Sequence, residues 1–237
     1  MNFSWQNVFS SEAKSESNKH KILGSKLDEE PKENQDVIIF GCGCFWGAEK
    51  CFWRLPGVIS TSVGYSGGDL LNPSYEQVCS GYTGHAEVVR IIWDKRIIDL
   101  SDLLKMFWEC HDPTQKDRQG NDRGSQYRSI IIYSNKEQYN KIIESKKSYQ
   151  IELKKEGYGN IETEIQENSS YYLAEDYHQQ YLSITSNRQY CSAEPTKVLL
   201  GQFNTCNYKL QQSVWEEFNW RVSKCVLRSS NEQIKFS

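Results

Sequence analysis

The chain of 237 residues is 38% hydrophobic and 25% charged, which is the composition of a globular domain, alone or with tails. Its formal net charge of -3 gives the molecule as a whole no attraction to nucleic acid or to an anionic membrane surface. Apolar runs stay well below the roughly 18 residues that a spanning helix needs, so a membrane protein is also excluded.

The predicted elements begin after a polar segment. Residues 1–36 are rich in Ser, Lys, Glu and Asn and lack a sustained hydrophobic period, which predicts a disordered or loosely packed N-terminal tail. A short strand follows at 37–40, and a glycine-containing turn leads into a helix from Cys44 to Trp53. The later elements are predicted in this order: strands at 58–65 and 87–93, a helix at 101–110 with Ser101 as its N-cap, a strand at 127–133, a helix at 136–156, a strand at 161–165 and a helix at 174–182.

The order of these elements predicts the fold class. From residue 37 to 133 it is β-α-β-β-α-β, which indicates an α+β fold, a two-layer sandwich with a ferredoxin-like core. We expect the folded domain to span residues 37–191 and a C-terminal extension to span residues 192–237. Four apolar residues of the extension are spaced four apart and predict one amphipathic helix over 209–226: Leu210, Val214, Phe218 and Val222.

The eight cysteines are predicted to be reduced. No two of them form a CxxC pair, and the N-terminal residues lack the apolar stretch of a secretory signal. Because disulfides are rare inside the cell, we expect free thiols, a cytoplasmic location and some cysteines present for their reactivity.

Cys44 is the first candidate for such reactivity. It lies where a strand turns through glycines into a helix N-terminus, and the backbone N–H groups there favour an anion. That position is expected to lower the thiol pKa toward neutrality and to make a nucleophile. A buried structural cysteine is the alternative that the residue alone leaves open.

Other polar residues could assist a nucleophile. Glu87 opens a strand, and if it pointed inward among aromatic rings its pKa would rise and it could act as a general acid. Tyr75 and Tyr127 could each donate a hydrogen bond to a developing negative oxygen. The alternatives are a solvated carboxylate and two core tyrosines. The loop at 111–126 has no predicted secondary structure, and loops of that length tend to be functional.

Two other kinds of site are open on spacing alone. A cysteine hydrolase would pair Cys44 with His178. A zinc site could draw on several cysteines and histidines, but the chain has one CxC and no second ligand pair, which makes structural zinc the weaker alternative. Its candidate ligands are Cys42, Cys44, Cys51, His85, His111 and His178.

The segment 43–49 (GCFWGAE) resembles the signature of the A-type peptide methionine sulfoxide reductases. Further segments match that family in its own order and bring the resemblance to about residues 37–191. They are 64–68 (GYSGG), Tyr75, 84–87 (GHAE), 111–114 (HDPT), 119–122 (QGND), 126–129 (QYRS) and 174–182 (AEDYHQQYL).

The resemblance implies a reaction and its catalytic residues. Enzymes of this family reduce the S epimer of methionine sulfoxide, free or in proteins, without a metal or flavin cofactor. Carried onto this chain, Cys44 is the nucleophile that attacks the sulfoxide sulfur. Glu87 supplies the proton that the sulfoxide oxygen needs, and Tyr75 and Tyr127 donate hydrogen bonds to that oxygen.

The resemblance also implies a substrate pocket. Phe45 and Trp46 would hold the methyl group of the substrate, and Asp122 would belong to the loop that shapes the site. Rings at these positions would exclude water and favour a methyl over a polar group.

Recycling is where the sequence departs from the family pattern. Cys191 resembles the first recycling cysteine, which would condense with a sulfenic acid on Cys44 to give a disulfide. The family often continues with a glycine-rich tail and a second cysteine, but here residues 192–195 read SAEP. Cys206 and Cys225 are further candidates for a relay, although ordinary buried thiols are the favoured alternative for both. Thioredoxin or a similar dithiol is the expected reductant.

Overall fold

A mixed six-stranded sheet organises residues 18–235, the part of the chain that the computed structural model describes. Its strands are β1 (Gln35–Cys42), β2 (Val58–Ser66), β3 (Ala86–Asp94), β6 (Ser129–Tyr133), β7 (Glu164–Glu167) and β8 (Tyr171–Leu173). They lie in the order β7-β6-β1-β3-β2-β8, and all neighbours are antiparallel except β6 and β7. A separate hairpin is formed by β4 (Arg118–Gln119) and β5 (Asp122–Arg123).

The helices cover one face of this sheet. They are α1 (Phe45–Trp53), α2 (Tyr75–Cys79), α3 (Leu100–Glu109), α4 (Lys136–Lys155), α5 (Gln212–Glu216) and α6 (Cys225–Arg228). Successive side chains of a strand point to opposite faces, so Ile38 and Phe40 of β1 join the helices in the main core, while Val37 and Ile39 join a second cluster on the other face. Within residues 18–235 no helix is long and apolar enough to cross a membrane.

The predicted β-α-β-β-α-β order is present from β1 to β6 once the short elements α2, β4 and β5 are set aside. The chain therefore combines one mixed six-stranded sheet with few helices, and the predicted mixture of strands and helices is confirmed. The narrower ferredoxin-like assignment stays a prediction. The predicted N-cap of α3 was wrong by two residues: Asp99 caps the helix, and its carboxylate accepts the Ser101 N–H at 2.9 Å.

The segment before β1 is packed rather than loose over its described residues. His20 and Leu27 are buried, and Ser60 of β2 donates its hydroxyl to the Lys26 carbonyl. Arg90 of β3 donates to the Glu29 carbonyl at 2.9 Å. The polar composition of residues 18–36 did not indicate this packing, because hydrogen bonds from β2 and β3 help to hold the segment in place. The prediction of a loose tail over 1–36 is therefore corrected for 18–36, and residues 1–17 lie outside the described residues.

The predicted helix at 174–182 is absent from the described chain. Two 3-10 turns, Asp176–His178 and Tyr181–Ser183, stand there instead. The Gln179 side chain bonds the backbone of β2, and Gln180 has a left-handed backbone with φ 50° and ψ 41°. A helix cannot continue through a left-handed residue, so long-range contacts overrode the local pattern.

The C-terminal extension packs into the main core. Leu210, Val214 and Phe218 are buried as the spacing predicted, but Val222, the fourth residue of that spacing, is only half-buried. Val198 and Trp220 of the same segment join the core. The predicted single helix over 209–226 was wrong, because the chain forms the short helices α5 and α6 with turns between them. The apolar spacing thus predicted three of the buried residues and not the backbone that buries them.

Candidate active site

Cys44 lies at the point where β1 turns into α1. Gly43 makes this turn with φ 87°, and a Cβ atom there would lie 2.6 Å from the Cβ of Gln119, so the position requires glycine. Cys44 is the N-cap residue of α1 and is 9% exposed. The turn therefore places the sulfur at a helix N-terminus.

The electrostatic prediction for this thiol was wrong in direction. Burial, followed by the neighbouring Glu87 carboxyl, raises the pKa of Cys44 well above its usual range. The backbone N–H of Trp46 acts in the opposite direction, as the helix-terminus argument expected, but it is the smaller effect. In the resting site Cys44 is therefore a protonated thiol.

Glu87 is buried beside that thiol. It lies on β3 opposite Tyr65 of β2, is 2% exposed, and its Oε2 accepts the Phe45 N–H at 3.0 Å. Burial raises the pKa of Glu87 to about 8, against the lowering effect of the Phe45 hydrogen bond. At pH 7 this carboxyl is mostly protonated and can donate a proton.

A cavity of about 420 Å³ opens between these groups. Seven residues predicted for the site line it: Cys44, Phe45, Trp46, Tyr75, Glu87, Asp122 and Tyr127. Three further lining residues were not predicted: Tyr181, Arg188 and Tyr190. Tyr181 lies within the family-like segment 174–182, and Tyr190 immediately precedes Cys191. These positions in the sequence could have identified both residues as candidates for the cavity lining.

The two predicted tyrosines, Tyr75 and Tyr127, line the cavity and keep protonated hydroxyls. Tyr75 begins α2, and its N–H donates to Glu175 Oε1 at 3.0 Å, while Tyr65 donates its hydroxyl to Glu175 Oε2 at 2.7 Å. Burial raises the pKa of both Tyr75 and Tyr127. Both hydroxyls therefore keep their protons at neutral pH.

An aromatic stack forms one wall of the cavity. The rings of Trp46 and Tyr181 lie parallel, with centroids 3.8 Å apart and an interplanar angle of 7°. Trp46 Nε1 donates to His178 Nδ1 at 3.1 Å, and burial lowers the pKa of His178 to about 4. His178 thus supports the Trp46 indole and, over residues 18–235, is not part of the cavity lining. The hydrolase pairing of Cys44 with His178 is therefore wrong.

The other side of the cavity includes Tyr190, the residue that immediately precedes Cys191. Tyr190 donates its hydroxyl to Asp122 Oδ1 at 2.6 Å, which fixes the loop that carries Asp122. Cys191 itself is 4% exposed, and its Sγ would lie 2.5 Å from a Cβ placed on Gly47 of α1. The sulfur thus occupies space that a glycine leaves open one helical turn from Cys44.

The two remaining recycling candidates lie in different surroundings. Cys225 begins α6, is partly buried against the main core, and has a pKa raised to about 12 by burial and by the nearby Cys51 and Cys191 thiols. Cys206 contacts residues of its own loop, where its Sγ donates to Gln202 Oε1 at 2.6 Å. Cys225 therefore lies on a helix that contacts α1, the helix against which the Cys191 sulfur packs.

The six histidines and cysteines considered as zinc ligands do not form one cluster in the described part of the chain. Cys42 and His111 do meet, with Cys110 as the third member, and their candidate ligand atoms lie within 4.8 Å of one another. The ring nitrogens of His111 are already paired, Nδ1 with the Phe107 carbonyl at 2.7 Å and Nε2 with Ser129 Oγ at 2.8 Å. This cluster offers a metal no free imidazole nitrogen.

Comparisons with a family model, with curated relatives and with solved structures all identify the same family. The family model for peptide methionine sulfoxide reductases matches residues 36–209. A peptide methionine sulfoxide reductase of Salinispora arenicola is 53% identical over 178 residues, which are 75% of this chain and 81% of that protein. A mitochondrial peptide methionine sulfoxide reductase of Bos taurus is 53% identical over 165 residues, 70% of this chain and 71% of that protein. The structure of methionine sulfoxide reductase A of Corynebacterium diphtheriae superposes with a TM-score of 0.68 at 40% identity, covering 77% of this chain and 88% of that one.

Proposed function

The chain belongs to the A-type peptide methionine sulfoxide reductases, a family of oxidoreductases, and from this premise we propose that it reduces the S epimer of methionine sulfoxide. The substrate is free methionine sulfoxide or oxidised methionine in proteins. One observation carries the proposal: a nucleophilic thiol and a protonated carboxyl line the same aromatic cavity. These are Cys44 and Glu87, and their spacing is set by the Phe45 N–H that binds Glu87 Oε2.

The first step reduces the substrate sulfur. The Cys44 sulfur attacks the sulfoxide sulfur while the Glu87 carboxyl gives its proton to the sulfoxide oxygen, which is a poor leaving group without it. The Glu87 carboxylate so formed is a base on the same wall that can take the thiol proton. The oxygen passes to Cys44, which becomes a sulfenic acid, and the substrate leaves as a thioether.

Binding depends on the lining of the cavity. The Tyr75 and Tyr127 hydroxyls donate to the sulfoxide oxygen, whose negative charge grows during the attack. Phe45 and Trp46 provide the apolar surface for the methyl group, and Asp122 shapes the opposite wall.

Recycling uses the thiol beside Gly47. The Cys191 thiol condenses with the Cys44 sulfenic acid, which releases water and forms a disulfide. Cys225 is the second relay thiol that we propose, because it begins α6, and α6 contacts α1, the helix against which the Cys191 sulfur lies. A dithiol donor such as thioredoxin then restores both thiols by disulfide exchange.

The proposed reaction needs a reductant as its partner. We propose thioredoxin or a similar dithiol as the physiological donor and oxidised proteins as macromolecular substrates, with no cofactor. The bovine relative is named as a mitochondrial enzyme, so location differs among relatives, and a cytoplasmic location stays a prediction for this chain.

The test is reduction of separated S and R epimers of a methionine sulfoxide substrate, with dithiothreitol as reductant. Wild type is compared with Cys44→Ser, and Cys206→Ser serves as a thiol control outside the cavity. We expect turnover of the S epimer alone in the wild type and in Cys206→Ser, and none in Cys44→Ser. Turnover of the R epimer, or undiminished turnover in Cys44→Ser, would contradict the proposal.

A further inference from the structure

Glu49 is a buried carboxylate on the second turn of α1 that the proposed reaction does not use. Its side chain is 0% exposed, and it is not part of the cavity lining found among residues 18–235. A buried carboxylate is costly unless its oxygens are hydrogen-bonded. The groups that bond Glu49 therefore indicate what the residue does.

Three donors converge on the two oxygens of Glu49. The Gln180 N–H donates to Oε2 at 2.8 Å, and the Gln180 side-chain amide donates to Oε1 at 2.7 Å. The Thr61 hydroxyl donates to Oε1 at 3.0 Å. Burial raises the pKa of Glu49 to about 7, and these three hydrogen bonds oppose that rise because they favour the ionised form. Two of the donors belong to one residue on another segment of the chain.

The direction of the Thr61 bond is fixed by His20. The His20 Nδ1 accepts the N–H groups of Ile22 at 3.1 Å and Leu23 at 3.0 Å, so the ring proton lies on Nε2. Nε2 then donates to Thr61 Oγ1 at 2.8 Å, which leaves the Thr61 proton for Glu49. The N-terminal segment thus completes the set of donors around the carboxylate.

Gln180 needs this anchor because its backbone is left-handed. A residue with a side chain rarely adopts φ 50°, and such a conformation persists only where its surroundings hold it. Glu49 accepts hydrogen bonds from the N–H and from the side-chain amide of Gln180. The Lys21 N–H donates to Oε1 of Gln180 at 3.2 Å. The next residue is Tyr181, whose ring lies parallel to Trp46 at 3.8 Å.

We propose that Glu49 is a positioning residue for the substrate pocket. It fixes the left-handed backbone of Gln180 and thereby keeps Tyr181 flat against Trp46, so that the two rings present a preformed apolar wall to the substrate. This inference rests on the proposed function. It assigns the final glutamate of the GCFWGAE segment to pocket geometry rather than to proton transfer.

The first experiment replaces the carboxylate with its amide. Glu49→Gln keeps the shape of the side chain but turns one acceptor into a donor that faces other donors. We expect KM for the S sulfoxide to rise by roughly tenfold while kcat changes by less than about threefold, because the chemical groups stay in place. Gln180→Gly breaks the same contact from the other side, permits the left-handed backbone, and should also raise KM.

A matched control separates positioning from general stability. Glu109→Gln alters another buried carboxylate, which accepts the Leu200 N–H at 2.7 Å away from the cavity. We expect KM to be unchanged in Glu109→Gln even if the protein is less stable. In a Tyr181→Ala background Glu49→Gln should add less than about twofold to KM, because Glu49 acts through that ring.

A second readout does not depend on activity. The near-ultraviolet circular dichroism difference between wild type and Tyr181→Ala reports the stacked pair, and Glu49→Gln should reproduce it while Glu109→Gln should not. A wild-type spectrum and KM in both Glu49→Gln and Gln180→Gly would overturn the inference, as would a full Glu49→Gln effect in the Tyr181→Ala background. Failure of the wild type to reduce the S epimer would instead overturn the proposed function, and the dichroism comparison would still decide the role of Glu49.

Discussion

Glu87 shows how burial alone can give a residue its chemistry. A carboxyl in water is ionised at pH 7 and has no proton to give. Burial raises the pKa of Glu87 to about 8, and the Phe45 N–H holds the group in place without reversing that effect. The proton needed at the sulfoxide oxygen is therefore stored on the enzyme at neutral pH.

We predict that kcat/KM falls as pH rises through about 8. The protonated form of Glu87 is the active one, so activity is full below this pKa and drops about tenfold for each further pH unit. Glu87→Gln should lower kcat/KM by roughly 10²- to 10⁴-fold and remove this descending limb. The measurement is a pH profile from 6 to 10, with Glu76→Gln as an exposed carboxylate control. A descending limb that persists in Glu87→Gln would show that another group titrates.

The single helix α1 carries three residues that the proposals for this site depend on. Its N-cap is Cys44, its third residue is Gly47, and its second turn carries Glu49. Gly47 leaves the space that the Cys191 sulfur occupies, and helix geometry puts positions 44 and 47 on the same side. In the proposed reaction, the helix therefore aligns the attacking thiol, Cys44, with Cys191, the thiol that would capture its product.

We predict that Gly47→Ala separates reduction of the substrate from recycling. The added Cβ would lie 2.5 Å from Cys191 Sγ and must displace it. Alanine favours a helix over glycine by about 0.5–1 kcal/mol, so α1 itself should not unfold. The first turnover should proceed, while formation of the Cys44–Cys191 disulfide slows by roughly tenfold or more and the sulfenic acid accumulates.

Quenched single-turnover reactions with mass spectrometry of the sulfenic acid adduct measure both steps. Gly159→Ala is the matched control, because a Cβ at Gly159 would meet nothing within 4 Å. Disulfide formation at the wild-type rate in Gly47→Ala would contradict the assignment of Cys191.

At the scale of the whole molecule, the C-terminal extension completes the core. Trp220 is 7% exposed and stacks on Phe218 with ring centroids 5.6 Å apart. Lys50 and Trp53 of α1 donate side-chain hydrogen bonds to Ser229 and Asn231 at the end of the extension. The helix that carries the active site is thus covered by the last part of the chain, and we expect both to unfold together.

We predict that Trp220→Ala lowers the free energy of unfolding by about 3–5 kcal/mol, because it removes a large ring from the core. Urea denaturation followed by far-ultraviolet circular dichroism measures this, and a single transition is expected in wild type and variant. Leu199→Ala, at a side chain 61% exposed in the same extension, should change stability by less than about 0.5 kcal/mol. A loss that small in Trp220→Ala would show that the extension is not part of the cooperative core.

The sequence by itself determined the family, the strand and helix around Cys44, and seven of the residues that line the cavity. The strand, turn and helix around Cys44 follow from local pattern, because alternating and helical apolar spacings are properties of neighbouring residues. Cys44, Glu87, Tyr75 and Tyr127 were identified from their segments, and all four line one cavity. Three buried positions of the extension followed from the same kind of spacing.

Only the tertiary structure decided the protonation states, the backbone at 174–182 and the packing of the two end segments. The pKa of Cys44 is raised because the fold buries it beside Glu87, which no local pattern expresses. Gln180 is left-handed because Glu49, 131 residues earlier, bonds its N–H and its amide. These outcomes depend on groups far apart in the chain, and a local sequence pattern reports only on residues that are near one another.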